Sequence, residues 1–445
     1  MTGRPTSPTG DDDAARGLRA DSHPGAASSG TAPGATSDAA QPGARSHRAA
    51  SSAGGSELIT GIGELHTVDP ARGEDSVLRD AAVVVENGLI AWVGRASEAP
   101  AADRAVDVEG RAGLPGWVDS HTHLVFAGDR GEEFAARMAG EAYAAGGIGV
   151  TTNATREASD ETLRGLVAGR VRDAVAGGTT YLETKTGYGL DVEQELRAAK
   201  IAADAADEVT FLGAHLVPEG VDADEYVETV CGPMLEAVTP YVQWADVFCE
   251  RGAFNPEQSR RVLEACRDAG LGLRVHGNQI GPGEGVSLAV ELGAASVDHC
   301  NFLSDEDVAA LAGSGTVATV LPACDLSTRA PLAPARELLD AGATVAIASN
   351  CNPGTSYTTS MNFCVATAVL QMELTVDEAI RAATLGGAKA LRRDVSTPGR
   401  PAVGHLAVGT RADLHVLDAP QAVHLAYRPG MPLTWGVWRA GRREV

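Results

Sequence analysis

The sequence is short of positive charge: 36 Lys plus Arg stand against 59 Asp plus Glu, a formal net charge of −23. That balance repels phosphate backbones and anionic bilayer surfaces, so no nucleic acid and no membrane is expected among the partners. No run of about 18 apolar residues occurs, which excludes a transmembrane helix. Paired cysteines are missing too. The seven cysteines are odd in number, all lie from Cys231 onward and form no CxxC motif. This argues against a disulfide scaffold or a zinc ribbon and fits a reducing, cytoplasmic setting. Lysine is nearly absent, with Lys185, Lys200 and Lys389 set against 33 Arg.

Large apolar side chains are lacking in residues 1–55, where Leu18 is the one large branched residue among Ala, Gly, Ser, Thr, Pro and Asp. Such a composition cannot bury enough surface to offset ordering entropy, so a disordered tail is expected. The tail has no apolar stretch of about 7–15 residues, so no secretory signal is expected. It carries five Arg and five Asp, which places nearly all the acidity in the rest of the chain.

Beyond residue 55 the chain is strand-rich at both ends. The runs Glu57–Val68 and Ala81–Val93, with the hairpin signal Asn87-Gly88 inside the second, resemble Gly404–Asp418 and Leu433–Val445 near the C-terminus. Residues 56–115 and 398–445 are therefore expected to build one small β-sandwich domain. Between them, 116–397 alternates apolar runs with helical stretches, such as Thr179–Lys185 before Asp191–Ala206 and Trp244–Glu250 before Asn255–Ala269. Asn255-Pro256-Glu257 and Ser304-Asp305-Glu306 read as helix starts, with a cap residue followed by acids. This α/β rhythm predicts parallel strands with crossover helices, and the number of repeats favours a (β/α)8 barrel over an open sheet.

Five of the eleven histidines, His121, His123, His215, His276 and His299, each close an apolar run in that central region. Side chains at the C-terminal ends of barrel strands face the active site. His121 and His123, at i and i+2, share one side of a strand and can reach one metal ion. His276 is the expected third ligand, and His299 is better placed to handle protons.

Seven segments carry a resemblance to the amidohydrolase superfamily and, within it, to the imidazolonepropionase family. They are PGWVDSHTHLVFAGDR (115–130), ETKTGYGL (183–190), FLGAHLVPEG (211–220), ADVFCERGAF (245–254), RVHGNQ (274–279), DHCNFLS (298–304) and SNCNPGTSYTTS (349–360). The resemblance runs from about residue 57 to the C-terminus. It implies one divalent metal, Zn or Fe, on His121, His123, His276 and an acidic residue after the last barrel strand. It implies hydrolysis of 4-imidazolone-5-propanoate to N-formimidoyl-L-glutamate, and a homodimer. Arg130 matches the arginine that grips the substrate carboxylate, as a guanidinium fork can. Tyr143, Tyr188, His215, Gln279, Asn352, Gly354 and Thr355 match positions that meet substrate or product, with His215 expected to orient or polarise the ring carbonyl. His299, Gln279 and position 350 fall where the family's catalytic groups stand.

The match breaks at position 350, where the resemblance implies Asp and this chain has Asn350. An amide is a weak neutral ligand and no base, so weakened metal affinity and turnover are expected. Gln279 likewise puts an amide where some relatives carry Glu. Lys185 could be read as a carboxylated lysine bridging two metals; an ordinary strand-end lysine is favoured because the family is mononuclear. Asp119 is expected to shape a turn, and the cysteines to pack. Two alternatives stand beside the leading reading: another cyclic amidohydrolase or deaminase, and a catalytically dead barrel kept as a binding protein.

Overall fold

The structure is a computed structural model that describes residues 55–140 and 147–445. The expected disordered tail and Tyr143 lie outside the described residues. Chain order runs through β1 (Glu57–His66), β2 (Val77–Glu86), β3 (Leu89–Arg95), β4 (Arg104–Asp107) and β5 (Ala112–Pro115). Then come β6 (Trp117–Asp119), β7 (Thr179–Lys185), β8 (Glu208–Ala214), β9 (Trp244–Cys249), β10 (Gly272–Gly277), β11 (Ser296–His299), β12 (Val317–Val320) and β13 (Val345–Ile347). The chain ends with β14 (Leu414–Leu417), β15 (Thr434–Arg439) and β16 (Arg442–Arg443).

The strands from both ends of the described chain join in one sheet of order β16-β15-β14-β5-β1-β2-β3, with β4 paired to β1. The β2–β3 hairpin forms where Asn87-Gly88 predicts it. Both residues have positive φ, +51° and +79°, and Glu86 pairs with Leu89, the geometry that lets a two-residue turn match the strand twist. Ile59, Ile62, Leu65, Val83, Leu414, Val416 and Trp438 form this sheet's buried core.

The central strands are parallel and ordered β6 through β13, with helices between them. The helix Pro256–Asp268 starts at Asn255, whose side chain accepts from Gln258 N while Gln258 reciprocates, and the helix Asp305–Ala312 starts likewise at Ser304 with Asp307. These are the predicted starts, each satisfying otherwise orphaned backbone donors. Every residue of β7 is buried, as expected for a strand between helices and a filled lumen.

The edge strands β6 and β13 meet just beyond their ends. His123 N donates to Cys351 O (2.9 Å) and Asn350 N to His121 O (2.9 Å). Asp119, fully buried, accepts from Ser349 N (3.0 Å) and Ser349 Oγ (2.6 Å). Asp119 thus stitches the barrel seam, and burial pushes its carboxyl up to about 7. Asn278, His299, Cys300 and Asn350 all take positive φ, between +53° and +87°, at the strand ends. Such residues cost about 1–3 kcal/mol each when strained and gather where function over-determines the backbone. Among the described residues, no helix is long and apolar enough to cross a membrane.

Candidate metal centre and substrate cavity

The seam brings His121 and His123 to the mouth of the lumen, and β10 brings His276 opposite them. Ring centroids lie 5.2 Å apart for His121–His123, 4.6 Å for His121–His276 and 5.4 Å for His123–His276. One nitrogen from each ring falls within 4.8 Å of the others, and all three residues are buried. His121 Nδ1 lies 2.6 Å from Asp298 Oδ2, and His276 Nδ1 lies 3.0 Å from Asp246 Oδ2. A carboxylate only accepts, so on His121 the proton sits on Nδ1 and the Nε2 lone pair is free to face the centre. Burial, assisted by the charge of Lys185, brings the His121 imidazole down to about 3. Burial beside His121 holds His123 well below its usual value. Neutral imidazoles are what zinc or iron requires. Asn350 Oδ1 is buried without a hydrogen-bond partner among the described residues, in the cavity that His123 and His276 also line. Three nitrogens and one unpartnered amide oxygen fit a divalent metal.

Below the histidines lies a buried ionic cluster. Lys185 Nζ sits 3.0 Å from Glu183 Oε1, 2.9 Å from Asp246 Oδ2 and 3.8 Å from Asp298 Oδ2. Arg274 donates to Asp298 Oδ2 (3.1 Å) and Ser120 O (2.7 Å). A carboxylated Lys185 would put an anion among three carboxylates, so the ordinary lysine reading is the one that fits. Burial alone would raise both aspartates. His276 and Lys185 instead hold Asp246 below the carboxylate range, and Arg274, His121 and Lys185 do the same for Asp298. Sequence reasoning passed over Asp246, Asp298 and Glu183. The available signal was a lone acid inside each otherwise apolar run, with Asp298 directly preceding His299.

Above the centre, the cavity wall includes most of the expected substrate residues, Arg130, Tyr188, His215, Gln279, Asn352 and Thr355, together with the expected proton carrier His299. Ile148 and Phe248 also line it; neither was legible in the sequence, because apolar wall residues look like core. Gly354 serves Arg130 instead of lining the cavity. A Cβ at Gly354 would lie 2.2 Å from Arg130 Nη1, and one at Gly147 would lie 2.3 Å from Nη2. The guanidinium is slotted between two glycines. Its Nε and Nη2 grip Glu133 at 2.7 and 2.8 Å, leaving the Nη1 edge for a ligand. Asn352 shapes the turn below: its Oδ1 accepts from Gly354 N and Thr355 N, both at 2.8 Å, and its Nδ2 donates to Asn350 O at 2.7 Å.

His215 differs from expectation in its chemistry. Nδ1 donates to Gly187 O (2.8 Å), and burial lowers the imidazole to about 4, with the Gly187 carbonyl partly opposing. The ring is neutral with its proton on Nδ1, so Nε2 can accept a hydrogen bond but cannot donate one to a carbonyl. It stacks on His123 with centroids 5.8 Å apart and 24° between planes. His299 lies 5.4 Å from His276 and 5.7 Å from His121, burial keeps it neutral, and its Nδ1 has no partner among the described residues. Gln279 N and Ile280 N both donate to Glu250 Oε1, which anchors the loop after β10 and was also missed. Burial pushes the Cys324 and Cys351 thiols up to about 12, consistent with packing roles.

The buried imidazoles set an acid limit on the metal-free protein. His121, His123, His215, His299 and His415 all have lowered pKa values in the fold. Their stabilisation is therefore present above the unfolded value near 6.5 and is lost as pH falls below it. Asp119 and Asp325, both raised to about 7, act in the opposite direction over the same window. Stability should then fall as pH drops below 6.5, by about 1.4 kcal/mol per pH unit for each proton that the unfolded chain binds in excess. Urea midpoints of chelator-treated protein at pH 7.5 and 5.5 check this, and equal midpoints would refute it.

The family model described as the amidohydrolase family matches residues 113–435. An imidazolonepropionase from an Arthrobacter species is 69% identical over 400 residues, covering 87% of this chain and 99% of the relative. The imidazolonepropionase of Micrococcus luteus is 68% identical over 408 residues, covering 88% and 100%. Among solved structures, a mutant atrazine chlorohydrolase from Arthrobacter aurescens, complexed with zinc and atraton, superposes with a TM-score of 0.66. It is 21% identical and the match covers 87% of this chain and 95% of that one, a likeness of fold.

Proposed function

This chain belongs to the amidohydrolase family, among the imidazolonepropionases, and on that premise we propose that it hydrolyses the ring C–N bond of 4-imidazolone-5-propanoate to give N-formimidoyl-L-glutamate. The observation that supports it most is one cavity lined both by His123 and His276 of the three-histidine cluster and by a buried arginine with a free edge. His121, His123 and His276 would hold one divalent ion, zinc or iron, with Asn350 Oδ1 beside them. When bound, such an ion supplies Lewis acidity and lowers the pKa of a water from about 15.7 to 7.

The chain's own residues do the rest. The Arg130 Nη1 edge takes the propionate carboxylate, while Glu133 and the two glycines keep the fork from swinging away. His215 Nε2 accepts the ring N–H, and Tyr188, whose ring centroid lies 5.4 Å from that of His215, closes the wall beside it. Gln279 and Asn350 can orient groups through their amides but cannot take a proton. His299, neutral and with Nδ1 unpartnered, takes the proton of the attacking water and returns it to the departing ring nitrogen. The protein is proposed to work in the cytoplasm, which suits its free, mostly buried cysteines. It is proposed to pair as a homodimer. Helix Met361–Gln371 packs against helix His424–Tyr427, and the two leave Phe363, Leu370 and Tyr427 exposed.

Arg130→Ala is expected to raise KM for the propionate substrate by roughly 10- to 100-fold, the value of a charge-assisted hydrogen-bonded pair, with kcat little changed. An analogue lacking the carboxylate should show no such difference. An unchanged KM would remove the carboxylate-bearing substrate from the proposal and favour another cyclic amide. Gly354→Ala should produce the same KM defect without touching a ligand, because its new methyl overlaps Arg130 Nη1. Normal kinetics in that variant would show that the slot is not needed. A second reading, a barrel that binds but no longer turns over, is favoured by Asn350 alone.

A further inference from the structure

We propose that Lys185 is the positioning residue that registers the three histidines to one another. The inference rests on the reading of His121, His123 and His276 as metal ligands. Lys185 Nζ is fully buried, and each of the three acids around it leads to one or two of these histidines. Glu183 leads to the His121–His123 pair. Its Oε2 accepts Thr122 N at 3.1 Å and its main-chain O accepts Thr122 Oγ1 at 2.6 Å, while Lys185 N donates to Thr122 O at 2.8 Å. Thr122 is the residue between the two histidines, so this contact sets the backbone that carries both. Asp246 leads to His276: Oδ2 faces the ring Nδ1 at 3.0 Å and Oδ1 accepts His276 N at 3.1 Å. Asp298 leads to His121 Nδ1 at 2.6 Å.

The three acids come from β7, β9 and β11, and the histidines they hold come from the segment just after β6 and from β10. Without Lys185, Arg274, which contacts Asp298, would be the Arg or Lys left among the described residues to offset the repulsion among three carboxylates in a site without water-like dielectric. The carboxylates would separate, and the imidazoles they orient would move with them. A single ammonium at the centre thus converts three independent histidine supports into one rigid platform. A sequence with only three lysines spends one of them here.

The experiment titrates the metal-free full-length chain with Co2+, following the visible absorption of the bound ion and its affinity in competition with a chelator. Lys185→Met is expected to bind Co2+ about 10- to 100-fold more weakly, as loss of a supporting contact to metal ligands does, with a shifted absorption spectrum. The double variant Glu183→Gln with Lys185→Met removes one anion with the cation, restoring charge balance but not the bridge, and should remain as weak. Wild-type affinity in Lys185→Met would overturn the proposal, and so would full recovery in the double variant, which would make Lys185 a charge balancer. If neither variant folds by circular dichroism, Lys185 serves the fold, and the positioning role is equally refuted. Wild-type protein that binds no Co2+ would instead sink the metal reading beneath it.

Discussion

Asn350→Asp is expected to raise kcat by about 100-fold or more and to tighten metal binding, measured as turnover and as metal per chain for both proteins. The substitution exchanges one NH2 for one oxygen at a site that already fits the shape. Asn350 sits at φ +53°, a conformation that Asn and Asp tolerate alike, and its backbone N–H stays on His121 O. What changes is chemistry. A carboxylate adds an anionic oxygen beside the three imidazoles, and it can take the proton of an attacking water, a contribution of about 10²–10⁴ in rate. It also buries an unpaired charge when no metal is bound, so the metal-free variant should melt below the metal-free parent and the loaded variant above the loaded parent. Equal turnover in the two proteins would show that position 350 does not share in proton transfer, leaving His299 as the carrier. Two proteins that bind metal equally and turn nothing over would establish the binding-scaffold reading.

Removing the metal should have the larger effect still. Treatment with a strong chelator is expected to lower activity by at least about 1,000-fold, since neutral water with a pKa of about 15.7 is a poor nucleophile toward an amide-like carbon. His276→Ala should do the same irreversibly. Asp246 would keep Lys185 and the His276 backbone N–H as partners, so the cluster beneath survives and loss of activity is not loss of fold. Adding back zinc and iron separately to the chelated parent then distinguishes the two ions by which restores turnover. Full activity after complete metal removal would end the metal-dependent reading.

Much of the site was legible because its signals are local. An HxH pair needs only the two-residue period of an extended chain to put both rings on one side. The hairpin at Asn87-Gly88 and the helix starts at Asn255 and Ser304 rest on conformational preferences of single residues. His276 and His299 stand out because a polar residue ending an apolar run marks a strand end. Other features gave no such signal. Ile148 and Phe248 differ in nothing from core residues until a cavity is placed beside them. The role of Gly354 depends on an arginine more than two hundred residues earlier in the chain.

The sequence by itself determined the α/β rhythm, the histidines gathered at one end of the strands, the lack of disulfide pairing and the amide at position 350. Tertiary structure alone decided which partner each group takes. His276 is aligned in register with Asp298 on β11, yet its Nδ1 turns to Asp246 on β9, and Asp298 reaches His121 instead. The tautomer of His215 was decided by Gly187 O, and the freedom of Arg130 by Glu133 and two glycines. The physical reason is that strand periodicity dictates which face a side chain occupies. Which neighbour it meets on that face depends on the lateral order, stagger and closure of the barrel, and these arise only when distant segments pack.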